Sequence, residues 1–410
     1  MIDKKIELLA PAGDIEKLKI AVLYGADAVY IGGETYGLRA KAKNFDDETM
    51  KEGIEFAHSH GAKVYVTANI YAHNNDFEGM AEYFKKVRKF GADALLISDL
   101  GVFSVAKEAV PDMEIHVSTQ ANNTNYKSAN MWYKLGARRI VAARELSLAE
   151  IKEIRKNIPS DMDIEAFVHG AMCISYSGRC LLSNYLTGRD SNHGECAHPC
   201  RWKYYLTEET RPGEYMPVIE NDRGTYIFNS KDLCMIDYIP ELIDAGIQSF
   251  KIEGRMKTSF YVGSVVKAYR QAIDDCINNP QKYESMKDYY MKEVSKSSHR
   301  NFTTGFYFGK PIGNDQVYTN NSYIRNYDFI GMVEDYDERD KIATVMQRNK
   351  FEVGDEIEVM PAKGESWKMK VEKMWNENGI SIDSAPHPKQ IIKIKFDKPV
   401  CKYDMLRKRV

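Results

Sequence analysis

The chain has 410 residues, of which 43% are hydrophobic, and its formal net charge is −2. This length predicts two or three domains, and the near-neutral balance excludes a polycation that binds nucleic acid over its whole surface. The N-terminus begins a strand pattern without an apolar leader, and no run approaches the roughly 18 apolar residues of a membrane helix. A cytoplasmic protein without a membrane partner is expected, and seven cysteines in that compartment favour metal or redox chemistry over disulfides.

A short pattern recurs along the first 254 residues: a glycine, then usually an alanine, then a run of aliphatic and β-branched residues. It occurs at 24–33, 60–69, 90–99, 135–144 and 245–254. Glycine commonly ends a helix in the left-handed conformation, and an unbroken apolar run is typical of a strand buried on both faces. Three further runs, at 7–12, 114–119 and 163–168, complete eight predicted strands.

Eight strand–helix units favour the α/β class with a closed (β/α)8 barrel. An open doubly wound sheet is the main alternative, but no Gly-x-Gly-x-x-Gly follows the first strand and no Walker loop occurs. The last two predicted strands begin near residues 164 and 249, which predicts an insertion at about 172–240. We expect a barrel domain at 1–300, a linker at 301–324 and a small C-terminal β-barrel at 325–410.

The C-terminal region changes to short alternating strands, predicted at 329–333, 342–347, 356–360, 367–371, 380–382 and 390–396. Its last 20 residues hold seven Lys and Arg against two Asp. This basic tail is interpreted in two ways. It either binds the phosphates of a nucleic acid, with an affinity that falls as salt rises, or forms an edge strand whose lysines prevent pairing with another chain.

Four cysteines, Cys173, Cys180, Cys196 and Cys200, lie within 28 residues directly after the seventh predicted strand. Four ordinary buried thiols are one alternative, and structural zinc is another, although zinc sites favour paired Cys-x2–4-Cys knuckles. Widely spaced thiolates above a barrel suit a cubane iron–sulfur cluster better. Cys234 is an alternative fourth ligand, whereas Cys276 and Cys401 are expected to be inert.

Polar residues follow the predicted strands where each strand ends, and in a barrel these ends form the active face. Their arginines can clamp carboxylates with paired hydrogen bonds, and the histidine can act as a general acid or base. The set predicts a site for a small anionic molecule. We assign catalysis to His169, Arg144, Glu253 and Arg255, and ligand binding to Arg179, Gln120 and Asn69.

Several motifs resemble those of the peptidase U32 (collagenase-like) family over nearly the whole chain. They include residues 165–183, Leu8-Leu-Ala-Pro-Ala-Gly, Lys251-Ile-Glu-Gly-Arg and Phe302-Thr-Thr-Gly-Phe. The most similar branch is that of the prephenate-dependent tRNA uridine 5-hydroxylation proteins. The resemblance implies a 4Fe-4S cluster on Cys173, Cys180, Cys196 and Cys200, prephenate as hydroxyl donor, tRNA as substrate, and in some relatives a paralogous protein partner.

The main hypothesis is therefore an enzyme that hydroxylates the wobble uridine of tRNA after flipping the base out of its stack. The first alternative is a U32-type peptidase of unknown mechanism, although neither His-Glu-x-x-His nor Gly-x-Ser-x-Gly occurs in the chain. The second alternative is a protein without catalytic activity that assembles iron–sulfur clusters or transfers electrons.

Overall fold

Strands and helices alternate regularly up to residue 171 in the computed structural model. It describes residues 6–37, 44–172, 182–189, 197, 199, 206–207, 215–216, 220–221, 224–225, 231–309 and 323–410. The first strands are β1 (Glu7–Pro11), β2 (Ala28–Gly32), β3 (Lys63–Ala68), β4 (Ala94–Ile97), β5 (Glu114–Val117), β6 (Arg139–Val141) and β7 (Asp163–Ala171). The helices between them are α1 (Ile15–Leu23), α2 (Asp47–Ser59), α3 (Met80–Phe90), α4 (Leu100–Ala109), α5 (Tyr126–Leu135) and α6 (Leu148–Asn157).

The chain completes the barrel after the predicted insertion. The elements of this part are α7 (Leu182–Thr187), β8 (Leu206–Thr207), β9 (Tyr215–Met216), β10 (Glu220–Asn221), β11 (Gly224–Thr225), β12 (Asp232–Cys234), α8 (Ile239–Asp244), β13 (Ser249–Ile252), α9 (Ser259–Asn278), α10 (Pro280–Ser295) and β14 (Phe302–Thr303). Strand β13 pairs in parallel with both β1 and β7, so β1 to β7 and β13 close on themselves. The predicted (β/α)8 barrel is confirmed.

Local signals at the helix ends explain why the strand–helix units form. Asp14 and Asp99 cap the starts of α1 and α4, each accepting a hydrogen bond from a backbone N–H three residues later. Gly91 and Gly136 follow α3 and α5 with φ of 98° and 102°. Glycine adopts this left-handed conformation without strain, so the chain turns there into the next strand.

Strand β7 is longer than the sequence indicates, because it ends at Ala171 rather than at Val168. Strand β12 pairs antiparallel with the last three residues of β7, which are His169, Gly170 and Ala171. Strand β14 then pairs with β12, so the predicted linker at 301–324 begins inside this sheet. Pairing with β12 gives hydrogen-bond partners to the backbone groups of β7 beyond the rim of the barrel.

The C-terminal region forms an antiparallel sheet. Its strands are β15 (Tyr327–Asp337), β16 (Ile342–Gln347), β17 (Phe351–Glu352), β18 (Glu356–Met360), β19 (Trp367–Lys370), β20 (Met374–Asn376), β21 (Ser384–Ala385), β22 (Ile391–Lys395) and β23 (Met405–Arg409). The main sheet has the order β19-β18-β23-β15-β16-β22-β20. The predicted strand at 380–382 is wrong, because only Ser381 makes an isolated bridge there.

The basic tail lies inside this sheet and not at its edge, because β23 pairs with β15 on one side and with β18 on the other. Arg407 of β23 is fully buried, and its Nη2 lies 2.7 Å from Glu293 Oε2 of α10 and 2.7 Å from Glu358 Oε1 of β18. Tyr24, which directly follows α1, also donates to the carbonyl of Met360 at 2.9 Å. The C-terminal sheet is thus fastened to the barrel helices by buried polar contacts.

No helix in the described ranges combines the length and the apolar run that crossing a bilayer requires.

We predict that Arg407→Met lowers the free energy of unfolding by about 3–5 kcal/mol, because Glu293 and Glu358 lose their fully buried cation and keep only Lys296 among the described basic residues. The matched control is Lys368→Met, which removes an exposed pair with Glu356 in the same sheet and should cost less than about 1 kcal/mol. Urea unfolding followed by circular dichroism measures both variants. Equal losses for the two variants would contradict the prediction.

Candidate active site

A cavity opens at the carboxyl ends of the barrel strands. It has a volume of about 420 Å³, which includes space open to solvent. Polar side chains from several strand ends line it, as expected for the face of a barrel that carries ligands. Its walls are formed by Tyr30, Thr67, Asn69, Leu96, Ser118, Thr119, Gln120, Phe167, Lys251, Glu253 and Arg255. Four of the residues predicted from the sequence, Asn69, Gln120, Glu253 and Arg255, therefore lie together.

Asn69 and Gln120 line the cavity together, because Asn69 follows β3 directly and Gln120 lies three residues after the end of β5. Asn69 Nδ2 donates to Gln120 Oε1 at 3.1 Å and to Ser118 Oγ at 3.3 Å, and Ser118 also donates to Gln120. Tyr71 OH donates to the carbonyl of Gln120 at 2.6 Å. These bonds fix the orientation of the amides, which offer both donors and acceptors to a ligand.

Arg255 also lines the cavity and is nearly completely buried. Its guanidinium donates to Asn44 Oδ1 at 2.7 Å and to Thr67 Oγ1 at 3.3 Å. A Cβ atom at Gly32 would lie 2.2 Å from Arg255 Nη2, so the guanidinium reaches this position only because residue 32 has no side chain. Arg255 therefore connects the ends of β2, β3 and β13.

Arg144 lies behind the cavity wall and holds Glu253. Its Nη2 is 3.3 Å from Glu253 Oε2, and its Nη1 donates to the carbonyl of Ala171 at 2.7 Å. The guanidinium carbon also lies 3.8 Å from the centre of the Phe167 ring, which is close enough for a cation–π contact. This geometry ties the end of β7 to the carboxylate that lines the cavity.

His169 is not one of the residues that line the cavity. It is 1% exposed and lies among the rings of Tyr261, Tyr269 and Phe302, with centroid distances of 6.0, 5.5 and 5.6 Å. Burial lowers the pKa of His169 to about 3, so the imidazole is neutral at physiological pH. The catalytic role of His169 stays a prediction, and any such role would begin from the neutral ring.

The predicted cluster ligands Cys173, Cys180, Cys196 and Cys200 lie outside the described residues, and so does Arg179. Cys234 is described. It is 4% exposed on β12, its Sγ lies 3.8 Å from Tyr269 OH, and burial raises the pKa of its thiol to about 12. A metal ligand must be a thiolate, so Cys234 has the surroundings of a core thiol. Within the described ranges, no three His, Cys, Asp or Glu side chains converge as metal ligands do.

Sequence reasoning missed a chain of buried charges inside the barrel. Lys251 Nζ lies 2.7 Å from Glu165 Oε1, and Arg139 Nη1 lies 3.2 Å from Glu165 Oε2. Arg139 Nη1 is also 2.6 Å from Glu7 Oε1. Burial acts to raise the pKa of Glu7, but the charge of Arg139 and the hydrogen bonds from Arg139, Tyr65 and Ser249 bring it to about 2. The signal in the sequence was a charged residue within an apolar strand, which is rarely buried unless paired.

We predict that the neutral state of His169 destabilises the fold in acid. The unfolded chain takes up a proton near pH 6.5, whereas the folded chain does so only near pH 3, so stability present above pH 6.5 is lost as the pH falls. By pH 5 this loss reaches about 2 kcal/mol. Replacing His169→Gln should remove that part of the pH dependence in urea unfolding, and His387→Gln at an exposed position should not. Parallel pH curves for wild type and His169→Gln would show the prediction to be wrong.

Comparison with known proteins identifies two family models along the chain. Residues 13–316 match peptidase family U32, and residues 325–407 match the peptidase family U32 C-terminal domain. The tRNA hydroxylation protein P1 of Bacillus subtilis is 43% identical over 408 residues, which cover 100% of this chain and 96% of the relative. The tRNA hydroxylation protein P2 of the same organism is 37% identical, over 75% of this chain and 99% of the relative.

A third relative is the 23S rRNA 5-hydroxycytidine synthase of Escherichia coli, which is 37% identical over 67% of this chain and 40% of its own length. The family models together account for most of the barrel and of the C-terminal sheet. The chain belongs to peptidase family U32.

Proposed function

We propose that this chain is an RNA-modifying enzyme that hydroxylates tRNA, with the C5 position of the wobble uridine as target and prephenate as hydroxyl donor. The observation that carries the proposal is the full-length similarity to a tRNA hydroxylation protein, at 43% identity over 100% of the chain. The similarity to an rRNA 5-hydroxycytidine synthase supports the same class of reaction on a second kind of RNA.

The cavity at the barrel mouth supports the proposal that the hydroxyl donor is a small polar molecule. This cavity lies at the carboxyl ends of the barrel strands and is lined mainly by polar side chains. Prephenate carries two carboxylates, and the walls offer the cations of Lys251 and Arg255 beside the amides of Asn69 and Gln120. Hydrogen bonds between charged donors and carboxylates are among the strongest that a protein makes.

A 4Fe-4S cluster on Cys173, Cys180, Cys196 and Cys200 is part of this proposal. When bound, such a cluster would supply electron transfer. The chain enters the cysteine segment directly from β7, whose last residue, Ala171, is held by Arg144. The deeply buried thiol of Cys234 leads us to keep Cys200 as the fourth ligand.

The C-terminal sheet is our candidate for binding tRNA phosphates. Arg407 takes part in buried ion pairs, and Lys408 Nζ lies 2.7 Å from Asp355 Oδ2. The exposed basic residues of the tail are Lys395, Lys398, Lys402 and Arg409.

A cytoplasmic location and a paralogous protein partner remain predictions. The peptidase and electron-transfer alternatives make different predictions in the tests below.

We predict that Cys173→Ala abolishes 5-hydroxyuridine in tRNA, because the cluster loses a ligand. The measurement is mass spectrometry of tRNA nucleosides from a strain that lacks its own hydroxylation proteins and expresses each variant. Cys276→Ala and Cys401→Ala, which alter free cysteines elsewhere in the fold, are the matched controls and should retain the modification. Full modification by Cys173→Ala would refute the proposed cluster, and no modification by the wild type would refute the proposed function.

Protein purified without oxygen separates the remaining alternatives. Wild type and both control variants should be brown and hold iron and sulfide, whereas Cys173→Ala should lose most of both. A protein that only transfers electrons would hold a cluster but give no hydroxylated tRNA with donor present. A peptidase would cleave peptides after its iron and sulfide are removed.

We predict that Lys398→Glu combined with Lys402→Glu weakens tRNA binding about tenfold or more at low salt, because two phosphate contacts become repulsive. The same variant should also show a shallower dependence of binding on salt. The control, Lys85→Glu with Lys51→Glu, reverses two exposed charges on α3 and α2 and should bind as wild type does. Filter binding across 50–200 mM salt measures each affinity. Equal affinities for the two double variants would exclude this surface.

A further inference from the structure

Lys251 is the cation at the inner wall of the mouth cavity, and the sequence analysis gave it no role. It lies on β13, is 4% exposed and lines the cavity together with Tyr30 and Phe167. Its Nζ lies 4.5 Å from the centre of the Tyr30 ring and 5.4 Å from that of Phe167. The ammonium is therefore shielded from bulk water and borders the space that a ligand would fill.

The three basic residues near the cavity differ in what their donors contact. Arg255 donates to Asn44 and Thr67, and Arg144 donates to Ala171 and Glu253. Lys251 makes one hydrogen bond in the described part of the chain, to Glu165 at 2.7 Å. An ammonium has three donors, so Lys251 retains donor capacity beside the cavity.

Glu165 holds Lys251 in place at the cavity wall. This carboxylate has no exposed surface, and it is shared with Arg139, which is not one of the residues that line the cavity. Arg139 is also paired with Glu7, so the buried charges balance within the barrel and the Lys251 ammonium keeps a fixed position. A carboxylate that enters the cavity would be an additional hydrogen-bond partner of this ammonium, and burial would make that contact strong.

We propose that Lys251 binds a carboxylate of the small acid that occupies the mouth cavity. The inference rests on the proposed function for its choice of acid, because prephenate offers carboxylates to this wall. It assigns the direct contact to Lys251, whereas Arg255 and Arg144 hold the rim of the cavity in shape. The ligand class is a small carboxylic acid with an unsaturated ring or side chain that can pack on Tyr30 and Phe167.

The test compares the full chain with three variants by calorimetric titration of prephenate and of phenylpyruvate, and by thermal unfolding. Lys251→Met should lower both thermal stability and affinity, because Glu165 loses a partner and the ligand loses its cation. The double variant Lys251→Met with Glu165→Gln removes one charge of each sign. It should recover stability, and its affinity should stay about ten- to a hundredfold below that of the wild type.

Lys267→Met is the matched control, because Lys267 is equally buried but donates to the carbonyl of Pro361 at 2.6 Å, at the C-terminal sheet. It should lose stability and bind both acids as the wild type does. A double variant that binds as the wild type does would reduce Lys251 to a structural role and overturn the proposal. Failure of the wild type to bind either acid, or a borohydride-trapped covalent adduct on Lys251, would also overturn it. The 5-hydroxyuridine content of tRNA from cells tests the proposed function separately.

Discussion

A carboxylate without exposed surface holds the barrel together where it closes. Glu165 of β7 contacts Lys251 of β13 and Arg139 of β6. Arg139 also forms an ion pair with Glu7 of β1. These strands surround the seam at which β13, which follows the insertion, joins the seven earlier strands. A buried carboxylate left without partners costs several kcal/mol. The charges therefore favour the observed register of β13.

The register of β13 in turn determines the shape of the mouth. It brings Lys251 to the inner wall and Glu253 and Arg255 to the rim. Arg255 fits against Gly32 and bonds across to β3, while Arg144 fixes Glu253 from the side of β6. A site whose side chains are already held in their bonded positions loses less entropy when it binds a ligand. The side chains of the rim are thus ordered before a ligand binds.

The C-terminal sheet is held by the same kind of contact. Arg407 is buried between Glu293 of α10 and Glu358 of β18, and Lys296 also reaches Glu358, at 2.9 Å. The apolar core of the barrel continues into this sheet through Met332, Met360 and Met405. Charge pairing at an apolar boundary gives a preferred orientation, because an unpaired charge there would be costly. The exposed lysines of the tail therefore have a fixed position relative to the mouth.

The sequence by itself determined the barrel, since each strand–helix unit is specified by local signals: a capping residue, a glycine such as Gly91 or Gly136, and an apolar run. It also brought Asn69, Gln120, Glu253 and Arg255 to one place, because parallel strands carry their carboxyl ends to the same side. The tertiary structure alone determined that β12 pairs with the end of β7 and that His169 lies among the rings of Tyr261, Tyr269 and Phe302. It also decided that Lys251 meets Glu165 across 86 residues, and that the basic tail is a central strand. Those outcomes depend on which distant residues share a buried space, and no local pattern in the chain encodes that.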